Sequence, residues 1–192
     1  MKDRVYALSF TTPLARWLSI AGHPFVLIPL TVGASTRSLF WAAVIAASTT
    51  LPLLAIIIRN VRKGRWSDAD VSRHDQRSGL YHAGLPILLL SALVLYVLGA
   101  DPRLLRGIAA GVAMAVAGLI GNRWLKISMH MMFAAFCAVA ISRAYPGALT
   151  VAAATLFLAA LAWSRNHLKR HTWPEIATGL ALGLLAGAAA AA

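Results

Sequence analysis

Hydrophobic residues fall along this chain in seven blocks, near positions 15–35, 38–58, 80–99, 104–121, 129–145, 147–163 and 175–192. Within each block the apolar residues are nearly continuous. Most blocks approach the roughly 20 residues that carry a helix across about 30 Å of hydrocarbon. A segment in lipid must satisfy its own backbone hydrogen bonds, and no alternating ten-residue pattern suggests barrel strands, so each block is predicted to be helical. The pattern therefore predicts an all-α, polytopic transmembrane bundle of six to seven spans, with residues 1–192 as a single domain. The fifth and sixth blocks are short and are expected to tilt or to be shielded by neighbours. Asp101-Pro102 and Pro146-Gly147 punctuate two tight connections. The last block reads Gly179-x-x-x-Gly183-x-x-x-Gly187, a stripe of small residues that lets helix backbones approach closely.

Composition agrees with the pattern: 59% of residues are hydrophobic and only 12% are charged. Cys137 is the only cysteine, which leaves no disulfide framework and no Cys-based metal site. The N-terminus lacks a short apolar stretch followed by a small-residue cleavage site, so no cleaved signal peptide is expected.

The few charges are unevenly placed. Seven crossings put the N-terminus and segments 59–79, 122–128 and 164–174 on one face, and the turns at 36–37, 100–103 and 145–147 on the other. The first face collects Lys2, Arg4, Arg16, Arg59, Arg62, Lys63, Arg65, Arg73, Arg77, Arg123, Lys126, Arg165, Lys169 and Arg170, against Arg37, Arg103, Arg106 and Arg143 opposite. The positive-inside rule makes the richer face cytoplasmic. The expectation is a bacterial plasma-membrane protein with an external C-terminus. Its net charge of +12 follows from topology and attraction to anionic headgroups. Nucleic acid is a poor partner, because the cations are spread over short membrane-proximal loops with no recognition module.

Ser164-Arg165-Asn166-His167-Leu168-Lys169-Arg170-His171-Thr172-Trp173-Pro174-Glu175 is the densest polar block. It holds a cation, a candidate nucleophile and a carboxylate to orient it, the ingredients of phosphate-ester chemistry. A phosphomonoester dianion repels an anionic nucleophile, so such a site needs several cations or N–H donors and a neutral nucleophile. The arginine fork binds two oxygens at once, and a neutral imidazole attacks phosphorus well when a carboxylate holds its other nitrogen.

Ser164-Arg165, five residues, His171, three residues and Glu175 match S-R-x5-H-x3-[D/E]. This segment resembles the most diagnostic motif of the type-2 phosphatidic acid phosphatase superfamily, which includes lipid phosphate phosphatases and vanadium haloperoxidases. That family's P-S-G-H motif has a degenerate counterpart in Ile127-Ser128-Met129-His130, preceded by Lys126. Its K-x6-R-P motif is reduced to Arg77-Ser78, with Asp70 seven residues earlier where the family has Lys. The three segments run in the family's order over residues 70–175. The resemblance implies an integral-membrane phosphatase that removes a terminal phosphate from a lipid phosphate or diphosphate, phosphatidate-like or polyprenyl-linked, on the phosphatase-type helical core. It implies His171 as nucleophile through a phosphohistidine, Glu175 as its orienting partner, and His130 as general acid and then base. Arg165, Arg77 and either Lys126 or Arg73, with Ser128 and Ser164, would bind the phosphate oxygens, and neither metal nor cofactor is required.

Two other classes remain open. Asp68-x-Asp70 places paired aspartates where they could hold Mg²⁺ for a metal-dependent prenyl or phosphatidyl transferase. The bundle could also be non-catalytic, with a degenerate site. Trp66, Trp124 and Trp173 beside the polar segments read as interfacial anchors, and His74, His82 and His167 as solvated or lining residues.

Overall fold

The computed structural model describes residues 11–68, 70, 71 and 73–191; Lys2, Arg4 and Ala192 lie outside them. The helices are α1 (Thr11–Ala21), α2 (Pro24–Thr36), α3 (Leu39–Ile45), α4 (Leu51–Arg62), α5 (Arg77–Val97), α6 (Pro102–Gly121), α7 (Met129–Ala144), α8 (Ala148–His167) and α9 (Trp173–Ala191). A π-helical turn, Ala46–Thr50, joins α3 and α4 into one helix over Leu39–Arg62. The wide turn ends two residues before Pro52, whose ring would clash with the carbonyl four residues back in a regular helix.

Five helices are long and apolar enough to cross a membrane, and a sixth span forms if α1 and α2, bent by 52°, count together. The block at 15–35 is thus a broken span. The break is local chemistry: proline biases the preceding residue out of the helical region and has no N–H of its own, so Pro24 opens α2 instead of continuing α1. His23 caps the new helix, its Nδ1 accepting from the Phe25 N–H at 3.2 Å. Gly22 lies so close to α8 that a Cβ there would stand 2.5 Å from Leu161. The block at 129–145 becomes α7, which at 16 residues is shorter than a full span. The described residues therefore give five to six candidate spans, below the upper expectation of seven.

Helix α7 sits inside the bundle, packed on α9, α2 and α8. Its tightest neighbour is α9, and the glycine stripe explains why. A Cβ on Gly179 would stand 2.5 Å from the Ser128 carbonyl oxygen, and one on Gly187 2.8 Å from Val139. A Cβ on Gly183 would collide with the Met132 carbonyl. The stripe is therefore used within the chain, bringing the start of α9 against the start of α7.

A second core joins α5 and α6 to the α3–α4 helix through Ile45, Tyr81, Leu88, Leu95, Leu104 and Ile108. The outward residues of α5, among them Leu89, Leu90, Leu93, Tyr96 and Val97, are exposed, as lipid-facing residues of a membrane helix would be. Trp124 and Trp173 are also exposed, whereas Trp66 turns inward onto Ile57, Val71 and Leu80.

Candidate functional site

The polar block at 164–175 is a helix end, a tight reversal and a helix start. Ser164 and Arg165 lie in the last turn of α8, whose termination is a Schellman-type turn. Lys169 takes the left-handed conformation with φ 54°, and the Arg170 N–H returns to the Arg165 carbonyl at 3.0 Å. The His171 N–H reaches the same carbonyl at 3.3 Å, so the reversal folds His171 back toward Arg165. Thr172-Trp173-Pro174-Glu175 then opens α9 in the sequence pattern of a capping box. Glu175 Oε2 accepts the Thr172 N–H at 3.1 Å and also faces His171 Nδ1 at 2.8 Å. One carboxylate both starts the helix and fixes the imidazole.

Hydrogen-bond chemistry assigns the His171 tautomer. A carboxylate only accepts, so Nδ1 carries the proton; a guanidinium only donates, so Nε2 presents its lone pair to Arg77 Nη2 at 3.3 Å. Burial, with Arg77, Arg165 and Lys126 nearby, pushes His171 down to about 2. The contact with Glu175 is accordingly that of a neutral imidazole donating to a carboxylate rather than an ion pair. Lys126 is also pulled below the ordinary lysine range, mainly by burial, against the attraction of Glu175. Its Nζ donates to the Arg170 carbonyl at 2.7 Å.

Two guanidiniums are almost wholly enclosed, Arg77 at 3% exposure and Arg165 at 1%. Arg77 donates to the carbonyls of Val71 and Ile127 as well as facing His171. Arg165 donates through Nη1 and Nη2 to Asp70 Oδ2, both at 3.1 Å, and to the Ser19 hydroxyl. Its Nε has no hydrogen-bond partner among the described residues, and neither does Nε2 of His130. Removing charge from water costs several kcal/mol per ion unless it is compensated, yet the inner charges do not balance. Arg77, Arg165 and Lys126 give +3 against −2 from Asp70 and Glu175, with His171 neutral. An excess of +1 with the Arg165 Nε donor unpartnered favours an anion, and a buried cation cluster of this kind is a functional-site candidate.

Not every residue expected at the site reaches it. Arg73 is exposed and forks onto Asp75, at 3.1 and 2.9 Å, which holds its side chain outward. The Ser164 hydroxyl donates to the Ala15 carbonyl at 2.6 Å and so pins α1 to α8. Ser128 is the N-cap of α7, accepting from the Met131 N–H at 3.5 Å, and its own N–H bonds the Glu175 carbonyl at 3.1 Å. These two serines build the walls of the site. Each of the paired aspartates faces an arginine: Asp68 lies 3.8 Å from Arg170, while Asp70 holds Arg165.

His23 is the residue that sequence reasoning passed over. Its ring stands edge-on to His130 with centroids 4.9 Å apart, and its Nε2 is 4.0 Å from Asp70 Oδ1. The available signal was Gly22-His23-Pro24 itself, a helix-breaking triplet with an ionisable residue in the middle of a mostly apolar block. His23, Asp70 and His130 bring ligand atoms within 4.8 Å of one another. The Phe25 N–H already occupies the lone pair on His23 Nδ1, so neutral His23 keeps its proton on Nε2, the nitrogen that would have to face a metal. His74 and His82 bond carbonyls of Asn122 and Ser78, and His167 stacks on Trp163.

Compared with protein-family models, with curated proteins and with solved structures, the chain gives no match.

Proposed function

We propose that this protein is an integral-membrane phosphatase that hydrolyses a terminal phosphate from a lipid phosphate or diphosphate. The observation that carries the proposal is His171: a neutral imidazole, proton on Nδ1 toward Glu175, lone pair on Nε2 among Arg77, Arg165 and Lys126. That is the protonation state and the field a nucleophile needs to approach a phosphate dianion.

In the proposed reaction the phosphate takes up the positive excess, with Arg165 turning its fork from Asp70 to the phosphate oxygens. His171 Nε2 attacks phosphorus as the ester P–O bond breaks, and the bonding pair leaves with the lipid oxygen. His130, whose Nε2 is unpartnered, takes up a proton together with the phosphate dianion and, as the imidazolium, gives that oxygen a proton. The phosphohistidine is then attacked by water, which loses its proton to His130 as the P–N bond breaks; inorganic phosphate leaves and His171 is restored. Each step uses side chains of this chain and one water. The basic face on which the site lies is assigned to the cytoplasmic side of a plasma membrane by its Lys and Arg excess.

A metal-dependent transferase or hydrolase is the second reading, favoured by the His23–Asp70–His130 group. The tautomer of His23 and the hold of Arg165 on Asp70 count against it. Phosphate release by the purified protein from a panel of lipid phosphates in excess chelator separates the two. The phosphatase reading expects release that survives chelator and disappears in His171→Ala. Activity abolished by chelator and lost in Asp70→Ala, but retained in His171→Ala, would install the metal reading instead.

A further inference from the structure

Two adjacent residues hold both enclosed arginines. Asp70 Oδ2 accepts from Nη1 and Nη2 of Arg165 at 3.1 Å, and the Val71 carbonyl accepts from Arg77 Nε at 3.3 Å. Val71 takes the left-handed conformation with φ 46°, uncommon for a β-branched residue, and is fully buried in a cluster with Ile57 and Leu80. The backbone here is thus anchored. When an anion claims the Arg165 fork, the Asp70 carboxylate cannot withdraw with its segment, and leaving it without a partner would oppose binding. It needs another donor within a side chain's swing.

His23 supplies that donor. Its Nε2 lies 4.0 Å from Asp70 Oδ1, the oxygen that Arg165 does not use, roughly 1 Å beyond an N–H···O hydrogen bond. Because Nδ1 accepts the Phe25 N–H, neutral His23 carries its proton on Nε2, the nitrogen nearer the carboxylate. His23 and Asp70 line a cavity of about 90 Å³, several times the roughly 10–15 Å³ that admits one water, so the carboxylate has room to turn. Arg165, whose Nε has no partner among the described residues, gains by exchanging a carboxylate for a phosphate with three free oxygens.

We infer that Asp70 is a built-in anion that holds Arg165 in the resting site, and that His23 is the positioning residue that receives Asp70 when a phosphate displaces it. The inference rests on the phosphatase reading only for the identity of the anion. No covalent bond changes and no proton moves. One guanidinium–carboxylate pair gives way to a guanidinium–phosphate pair and an imidazole–carboxylate hydrogen bond.

The test titrates inorganic phosphate calorimetrically into purified full-length protein in nanodiscs at pH 8 with EDTA present. Asp70→Asn removes the competitor and should bind phosphate roughly tenfold or more tightly than wild type. His23→Asn keeps an acceptor for the Phe25 N–H, since asparagine is a favoured N-cap, but is too short to reach Asp70. It should bind phosphate roughly tenfold or more weakly. His23→Gln, with an amide N–H at about the reach of Nε2, should recover most of that loss. In the Asp70→Asn background His23→Asn should change nothing, because a neutral residue at position 70 needs no receiver, and the double-mutant cycle isolates that dependence. Thermal melting checks that each variant is folded, with Asp70→Ser as the alternative if Asp70→Asn is not. An equal loss from His23→Asn in both backgrounds would mean that His23 only caps α2, and would overturn the inference. So would phosphate binding by a folded Asp70→Asn no tighter than by wild type. No hydrolysis enters the readout, so the predicted coupling without phosphate release from any lipid phosphate would remove the phosphatase reading alone. Release that depends on His171, with no coupling between His23 and Asp70, would remove the exchange alone.

Discussion

His171 is held by Glu175, Arg77 and the backbone of Lys126, and each of its nitrogens can be tested. The ordinary imidazole takes up its second proton near pH 6.5; at about 2, His171 stays neutral through the physiological range. The sign follows first from burial and then from the cations around it: a depressed value means that acidification reaches the lone pair only far below neutrality. Nitrogen-15 NMR of labelled protein should show His171 as the Nδ1–H tautomer from pH 8 to pH 5, and a titration centred near 6.5 would contradict the assignment. Replacing His171 with Ala is expected to lower kcat by roughly 10³-fold or more. Arg165→Lys keeps the charge but loses the two-pronged donor geometry, and should cost on the order of 10²-fold in kcat/KM. At this scale the sequence was legible where spacing carried the information: Ser164 to Glu175 lie on one reversal, and His171 meets Glu175 because a capping box puts the carboxylate there. It was not legible for Arg73, whose nearest carboxylate, Asp75, drew it outward. Nor was it legible for Ser128 and Ser164, whose hydroxyls were taken by backbone groups. Residue type alone does not say whether a hydroxyl meets a ligand or a neighbouring helix.

Helix α9 holds the site closed from behind. Gly183 faces the Met132 carbonyl with no room for a Cβ, so Gly183→Val must push α9 away from α7. Overpacking of this kind costs typically 1–3 kcal/mol, and here it also shifts the start of α9, where Glu175 holds His171. Thermal unfolding in detergent should register the lower stability, and kcat should fall with it. A Gly183→Val protein with wild-type melting and turnover would show that the α7–α9 contact does not set the site. The blocks of apolar sequence placed the helices to within a few residues, because a run of apolar residues ends where charge or Pro begins. Two features escaped: the break at Gly22-His23-Pro24 and the π turn at Ala46–Thr50. In helices apolar on nearly every side, periodicity carries no signal for a bend, and only the Pro residues hinted at one. The break matters most, since it delivers His23 to the site.

Across the whole molecule, polar segments far apart in sequence are gathered at one end of an apolar bundle. Asp70, Arg77, Lys126, His130, Arg165 and His171 come together there. The opposite end is marked by the Arg106 Nε donating to the Ala190 carbonyl at 3.2 Å, which puts the chain's last helical turn away from the site. A reporter joined to the C-terminus and a cysteine-accessibility probe in the 122–128 segment should therefore report opposite sides of the membrane, with the 122–128 side cytoplasmic. Both reporting the same side would contradict this topology. The gathering was expected from a count of seven crossings, against the five to six candidate spans of the described residues. The internal balance was not: Asp70, read as a departure from a motif, is the carboxylate that holds Arg165 in the resting protein.

The central claim is that His171 carries the phosphoryl group. Purified protein mixed with farnesyl [³²P]phosphate and quenched in alkali within milliseconds should retain label in wild type. That label should be acid-labile and alkali-stable, as phosphohistidine is, should map to His171, and should be absent from His171→Ala. Label on another residue, or phosphate release by His171→Ala at the wild-type rate, would contradict the account.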